Sequence, residues 1–196
     1  MKPRFVFLFI VTPIVFGFTS FKNIPKCYLS FEGIDNYILA DFERKPFTIS
    51  TSREFKITKD KTVTINLVDT YKAYFQNSDS ETNLTIEIEL SENKKFKDYI
   101  LAHYQLISEH HQKDHNESLV LENFKIDTVD VYGFTSKSIA NPNLGNYALF
   151  PTDKMAIYFR FMSPQNTTIK SIEDFIIARD SLIHYYLTHV SKCNKK

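Results

Sequence analysis

Ser91 and Lys94 stand three residues apart in Ser91-Glu-Asn-Lys94, the spacing at which a lysine one helical turn on can activate a serine nucleophile in Ser-x-x-Lys enzymes. The Ser-Asp-Asn and Lys-Thr-Gly elements that complete such a site are missing from the chain, and no Gly-x-Ser-x-Gly elbow supplies another serine. Ser91 is therefore read first as the N-cap of a helix that follows it. Four of the six histidines, His103, His110, His111 and His115, fall in one stretch. His111 and His115 would share a face of a continuing helix and could hold one side of a metal ion. A His-Glu-x-x-His arrangement is absent, and no acid is assigned as a third ligand. His103 recurs with apolar neighbours and is expected on the core face with a hydrogen bond, while His110, His111 and His115 read as a solvated helix end. His184 and His189 read as polar helix positions, with Asp180 spaced to interact with His184. On this basis no catalytic, cofactor-binding or metal-binding residue is assigned.

Nucleotide chemistry of the P-loop and dinucleotide-fingerprint types is excluded on simpler grounds. The chain has only four glycines, Gly17, Gly33, Gly133 and Gly145, too scattered for a P-loop or a dinucleotide fingerprint. Its lysines are spread among acids rather than gathered in a patch, so no nucleic-acid partner is expected. Asn83-Leu-Thr85, Asn116-Glu-Ser118 and Asn166-Thr-Thr168 are glycosylation sequons, meaningful only in a host that glycosylates asparagine.

Cys27 and Cys193 are the two cysteines. In an oxidising compartment they read as a disulfide joining the ends of the domain, worth up to ~4–5 kcal/mol in the chain-entropy model. Two unpaired thiols near frayed termini are the equal alternative, since geometry decides. Lys26 argues against a lipidated Cys27, because a lipoprotein signal has a small residue there.

The compartment is suggested by the first twenty residues. Lys2 and Arg4 precede a charge-free apolar run from Phe5 to Phe18, followed by small residues at Thr19 and Ser20. This is the layout of a secretory signal peptide. Fourteen helical residues reach only ~21 Å, short of a ~30 Å hydrocarbon core, and Pro13 weakens a spanning helix further. Cleavage near Thr19 or Ser20 would remove Lys2 and Arg4 and change the formal charge from +1 to −1. The mature chain, about 175 residues from position 21 to 196, suits a single domain with no stable membrane span. With 43% hydrophobic and 15% aromatic residues it is too apolar to be disordered.

The elements that would position these residues follow from periodicity. After an ill-determined polar lead-in from Lys22 to Arg44, Val63, Ile65 and Leu67 alternate with polar residues, as do Ala73 with Phe75, and Leu84, Ile86, Ile88 and Leu90. These read as strands with one buried face, joined by the turn cluster Asn77-Ser-Asp-Ser80. Phe96, Ile100, His103 and Ile107 then repeat at helical spacing. Strands are expected again at Leu119 to Ile126, Val129 to Phe134, Tyr147 to Phe150 and Met155 to Phe161. A final helix is expected from about Ser171 to Val190, capped by Ser171 and Asp174. This order predicts an α+β fold, an antiparallel sheet with both helices on one face.

The layout from Phe47 to Val190 resembles the PsbP-like fold, named for an extrinsic protein of the photosynthetic water-splitting complex and shared by many small noncatalytic proteins. The resemblance lies in three early strands, the helix at Phe96 to Ile107, the returning strands and the closing unit of Met155 to Phe161 with Ser171 to Phe175. It implies a noncatalytic domain and carries over no functional residue. The expected protein is thus exported, periplasmic or secreted, and binds a protein or small-molecule ligand, with the loops at Asn141 to Asn146 and Pro164 to Thr168 as candidate surfaces. The alternatives are an exported hydrolase whose residues converge only in space and a metal-binding protein using the His103 to His115 cluster.

Overall fold

A computed structural model describes residues 28, 38–45, 52–76, 82–113, 119–162 and 169–193. In chain order its elements are β1 (Ile38–Lys45), β2 (Ser52–Thr58), β3 (Lys61–Asn66), β4 (Asp69–Gln76), β5 (Thr82–Leu90), α1 (Phe96–Lys113), β6 (Leu119–Ile126), β7 (Val129–Ser136), β8 (Asn143–Thr152), β9 (Met155–Met162) and α2 (Ile172–Cys193). Seven strands form one sheet in the order β1-β4-β5-β9-β8-β7-β6, while β2 and β3 form a separate hairpin. All neighbouring strands are antiparallel. The fold is α+β, as the alternating and helical periods predict. No helix among the described residues is long and apolar enough to cross a membrane.

Alternation along β5 shows why the sheet forms. Leu84, Ile86, Ile88 and Leu90 point to one side and are essentially inaccessible; Thr85, Glu87 and Glu89 take the other. The first side packs on α2 through Phe175, Leu182, Ile183 and Tyr186. Each such fully buried side chain contributes about 1.5–3 kcal/mol of hydrophobic free energy.

The placement of the helices corrects the expectation that both lie on one face. Along β9, Ile157, Phe159 and Phe161 join the α2 core, whereas Ala156 and Tyr158 join a second core with Phe96, Ile100 and Tyr104 of α1. A central strand that is apolar on both sides needs two covering layers, so α1 and α2 sit on opposite faces. The β2–β3 hairpin completes the α1 layer with Phe55 and Ile65. In the stretch read as a lead-in, β1 pairs with β4 at the sheet edge.

The helix caps divide in the same way. Ser171 and Asp174 form the expected reciprocal cap of α2, with Ser171 Oγ accepting from the Asp174 amide and Asp174 Oδ2 from the Ser171 amide, at 3.1 and 3.2 Å. At α1 the capping residue is Asn93 rather than Ser91: Asn93 Oδ1 accepts from the Lys95 amide at 2.9 Å. Ser91 lies further upstream, donating to the Asn66 carbonyl at 2.9 Å and accepting from the Asn93 amide at 3.2 Å.

Candidate functional site

The α1 face of the sheet carries one transverse row of side chains that changes from apolar to polar. Its register runs from Leu121 to Phe134, Phe134 to Asn146, Asn146 to Arg160 and Arg160 to Thr85, across β6, β7, β8, β9 and β5. At ~4.8 Å per strand the row spans about 19 Å. Over its apolar end lies α1, with the Tyr104 ring edge-on to Phe134 at 5.4 Å between centroids. Between helix and sheet opens a cleft of ≈ 340 Å³. Tyr104, Ile107, Leu119 and Phe134 supply its apolar walls, and Asn143, Asn146 and Arg160 its polar side. Beyond Asn146 and Arg160 the surface continues into a smaller recess lined also by Arg53, Thr85, Glu87 and Tyr158.

The recess is shaped by a buried charge. From β2, Arg53 reaches across to Glu89 on β5 and forms a salt bridge, its guanidinium 5.2 Å from the Phe55 ring centre and 5.0 Å from that of Tyr158. Burial raises the pKa of Glu89, and the Arg53 cation only partly opposes the shift. For Arg53 itself burial works against the charged form, but the interactions with neighbouring Tyr158 and Glu89 outweigh it and the pKa rises. Tyr158 is pushed well above the usual phenol range by burial and then by Glu89. Its hydroxyl neighbours Glu89, yet neither it nor Glu89 Oε2 completes a hydrogen bond. Burial likewise raises the Tyr104 phenol.

Arg160 is in a different state. It is exposed on β9, and among the described residues it makes no hydrogen bond or ion pair. The neighbouring acids are engaged elsewhere, Glu87 with Lys72 at 3.3 Å and Glu89 with Arg53. Opposite Arg160, Asn146 Oδ1 is shielded from solvent and finds no donor. The result is an uncompensated cation beside an unsatisfied amide at the mouth of an apolar cleft. Such a site can bind and orient a ligand.

No protein family, curated protein or solved structure matches this chain. The site must therefore be read from its own residues.

The residues singled out in the sequence are dispersed. Ser91 is occupied by backbone contacts on both sides of its hydroxyl. His103 meets the expectation of a bonded core-face residue, with Nδ1 3.3 Å from the Lys56 carbonyl and its ring edge-on to Phe55. His110 is exposed, the side chain of His111 is not described, and His115 lies outside the described residues. Among the described residues no cluster of three metal-ligating side chains occurs. His184 pairs with Asp127 at 2.9 Å rather than with Asp180, which is held by Arg179 Nε at 2.7 Å. Cys27 and the side chain of Cys193 lie outside what is described, as do Asn116, Pro164 to Thr168 and the first twenty residues.

Of the two candidate loop surfaces, the first contributes: Asn143 and Asn146 line the cleft, although they belong to β8. Arg160, Tyr104 and Phe134 were legible only as positions in a strand or helix. One signal was available for Arg160. It is the only charged residue in the otherwise apolar β9 segment Met155-Ala-Ile-Tyr-Phe-Arg-Phe-Met162.

Proposed function

We propose that this is an exported, noncatalytic binding protein that holds a small ligand in the cleft between α1 and strands β7 to β9. The observation that carries the reading is the cleft itself, with aromatic and aliphatic walls on one side and Asn146 and Arg160 on the other. Binding rather than hydrolysis is favoured because Ser91 has its hydroxyl committed to the Asn66 carbonyl and the Asn93 amide. Of the titratable groups near the cleft with strongly altered environments, Tyr104 is a buried phenol on its wall, and Glu89 and Tyr158 lie buried beside Arg53. Export rests on the signal-peptide layout of residues 1 to 20, and the strand, helix, strand, helix order supports the PsbP-like resemblance.

A disulfide between Cys27 and Cys193 belongs to the same reading. The Tyr28 carbonyl accepts a hydrogen bond from the buried Tyr186 hydroxyl at 3.0 Å, fixing the residue after Cys27 against α2. Cys193 follows Tyr186 by seven residues, two helical turns along the same helix face.

Native mass spectrometry of the full-length product recovered from its own host tests the reading. The expected result is a chain shortened by about twenty residues, as signal-peptide removal requires, carrying a small molecule that Ile107→Trp displaces by filling the cleft. A chain retaining Met1 overturns export. If no compound is retained and a fragment screen shifts no amide signals of Tyr104, Phe134 or Asn146, ligand binding in the cleft is overturned.

A further inference from the structure

The polarity of the transverse row identifies a class of ligand, an inference that rests on the cleft being the binding site. We infer that the cleft takes a small amphipathic monoanion, a carboxylate on an aromatic or aliphatic body, with the carboxylate at Arg160 and Asn146 and the body against the apolar wall that Tyr104, Ile107, Leu119 and Phe134 form together.

Three independent observations converge on that chemistry. The first is charge: Arg160 stands exposed with no ion pair among the described residues, while the acids beside it are taken up by Lys72 and Arg53. A guanidinium presents a planar pair of N–H donors that matches a carboxylate. The second is the amide beside it. Asn146 is the direct cross-strand partner of Arg160 and lines the same cleft, and the NH₂ group of its amide can donate to a carboxylate held by the guanidinium. The third is the wall opposite. Phe134, the next residue in the row beyond Asn146, begins an apolar surface continued by Tyr104, Ile107 and Leu119. At ≈ 340 Å³ the cleft falls at the small end of ligand sites.

A ligand fitting this row lies across the strands, headgroup toward β9 and body toward β7 and α1. Arg53 cannot replace Arg160 as the anchor, since Glu89 already neutralises it. A neutral ligand would leave the Arg160 charge unused, and a dianion would face one cation only.

Isothermal titration of the full-length protein with naphthaleneacetate and with its neutral isostere naphthaleneacetamide tests the assignment. The carboxylate is expected to bind about tenfold more tightly than the amide. Arg160→Met should erase that difference while leaving the weaker amide affinity in place; Arg160→Lys should retain part of it. Circular dichroism confirms that both variants keep the fold. Equal affinity for the two probes, or a carboxylate preference that survives Arg160→Met, overturns the monoanion assignment while leaving the cleft as a binding site. Failure of both probes to bind overturns the assignment, and the fragment screen above then decides whether the cleft reading falls with it.

Discussion

The two faces of the central sheet each hold an arginine paired with an acid, and they treat it in opposite ways. On the α2 face Arg179, 3% exposed, pairs with Glu122 and Asp180 and bonds the Thr135 and Tyr147 hydroxyls at 3.1 Å each. Its guanidinium also lies over the Phe124 ring, 4.3 Å from the centre. On the α1 face Arg53 has one acidic partner, Glu89, and is 37% exposed along its side chain. Around it remain unsatisfied atoms on Glu89, Tyr158 and Asn146. A fully partnered buried charge locks two elements together. A partly partnered one leaves polar atoms for something else to satisfy, and here that arrangement lines the recess that continues from the cleft. The difference separates a structural face from a candidate binding face built by the same strands.

The sharpest way to break this comparison is Arg179→Met. It leaves the Glu122 carboxylate, the Thr135 and Tyr147 hydroxyls and the Asp180 carboxylate short of a donor. Loss of one partner from a buried ionic network costs ~3–5 kcal/mol, and the full set of contacts here places the expected loss near the top, about 4–5 kcal/mol. Urea denaturation measures it. A loss below about 1 kcal/mol, the scale of an exposed pair, would mean that the α2 face does not depend on this residue.

Arg53→Met should cost less, about 3 kcal/mol at neutral pH, because the arginine end of the pair is open to solvent screening. Its pH dependence identifies the cause. Burial raises the pKa of Glu89 above its ordinary 4.5, so the folded state holds the proton more tightly than the unfolded state. The associated stability is full below the unfolded pKa and is lost as pH rises through the folded pKa. Removing Arg53 moves the folded pKa higher and extends that loss upward in pH. The variant should therefore approach wild-type stability on acidification, and the double variant Arg53→Met with Glu89→Gln should recover much of the deficit at neutral pH. Denaturation curves across the range from about pH 5 to 8 would contradict this account if the deficit were flat.

Much of the scaffold behind this contrast was written in the sequence. The two-residue period of β5 and β9, the helical period of α1 and the Ser171–Asp174 cap all depend on neighbours within a few positions, and the structure carries each of them. Where sequence and structure differ, the cause lies in distant parts of the chain. Alternation within Met155 to Phe161 does not show that Ala156 and Tyr158 are buried too, because α1 and the β2–β3 hairpin that cover them come from distant parts of the chain. Ser91 has the type and spacing of a cap, but the Asn66 carbonyl, from the end of β3, claims its hydroxyl. The site was the least legible part. Phe134, Asn146 and Arg160 come from three strands and meet only through register, which no single stretch of chain encodes.

Gly145 tests whether the two faces are independent. Its backbone borders the cleft, yet a Cβ added there would meet the Tyr147 ring at 2.5 Å, on the side of the α2 core. Tyr147 is fixed by Thr135 and Arg179, so it cannot give way without disturbing that network. Gly145→Ala is expected to cost about 2 kcal/mol as overpacking and to broaden the side-chain NMR signals of Tyr147 more than those of Tyr104. The reverse order would show that strain passes into the cleft instead.

The smallest expected effect is the most discriminating for function. Arg160→Met exchanges a guanidinium that no group among the described residues engages for an apolar side chain of similar length, on a sheet face that it shares with Tyr158 of the same strand. Nothing is orphaned by the change, and surface substitutions of that kind move stability by no more than about 0.5 kcal/mol. The same arginine-to-methionine exchange on the other face is expected to cost roughly ten times as much, so one substitution type measures the division of labour between the two sides of the sheet. A thermal or urea transition for Arg160→Met that matches wild type, beside a lost preference for the carboxylate probe, would place this residue in recognition rather than folding. A loss above about 1.5 kcal/mol, well outside the surface range, would instead reveal a structural partner for Arg160 and remove the uncompensated charge on which the contrast between the faces depends.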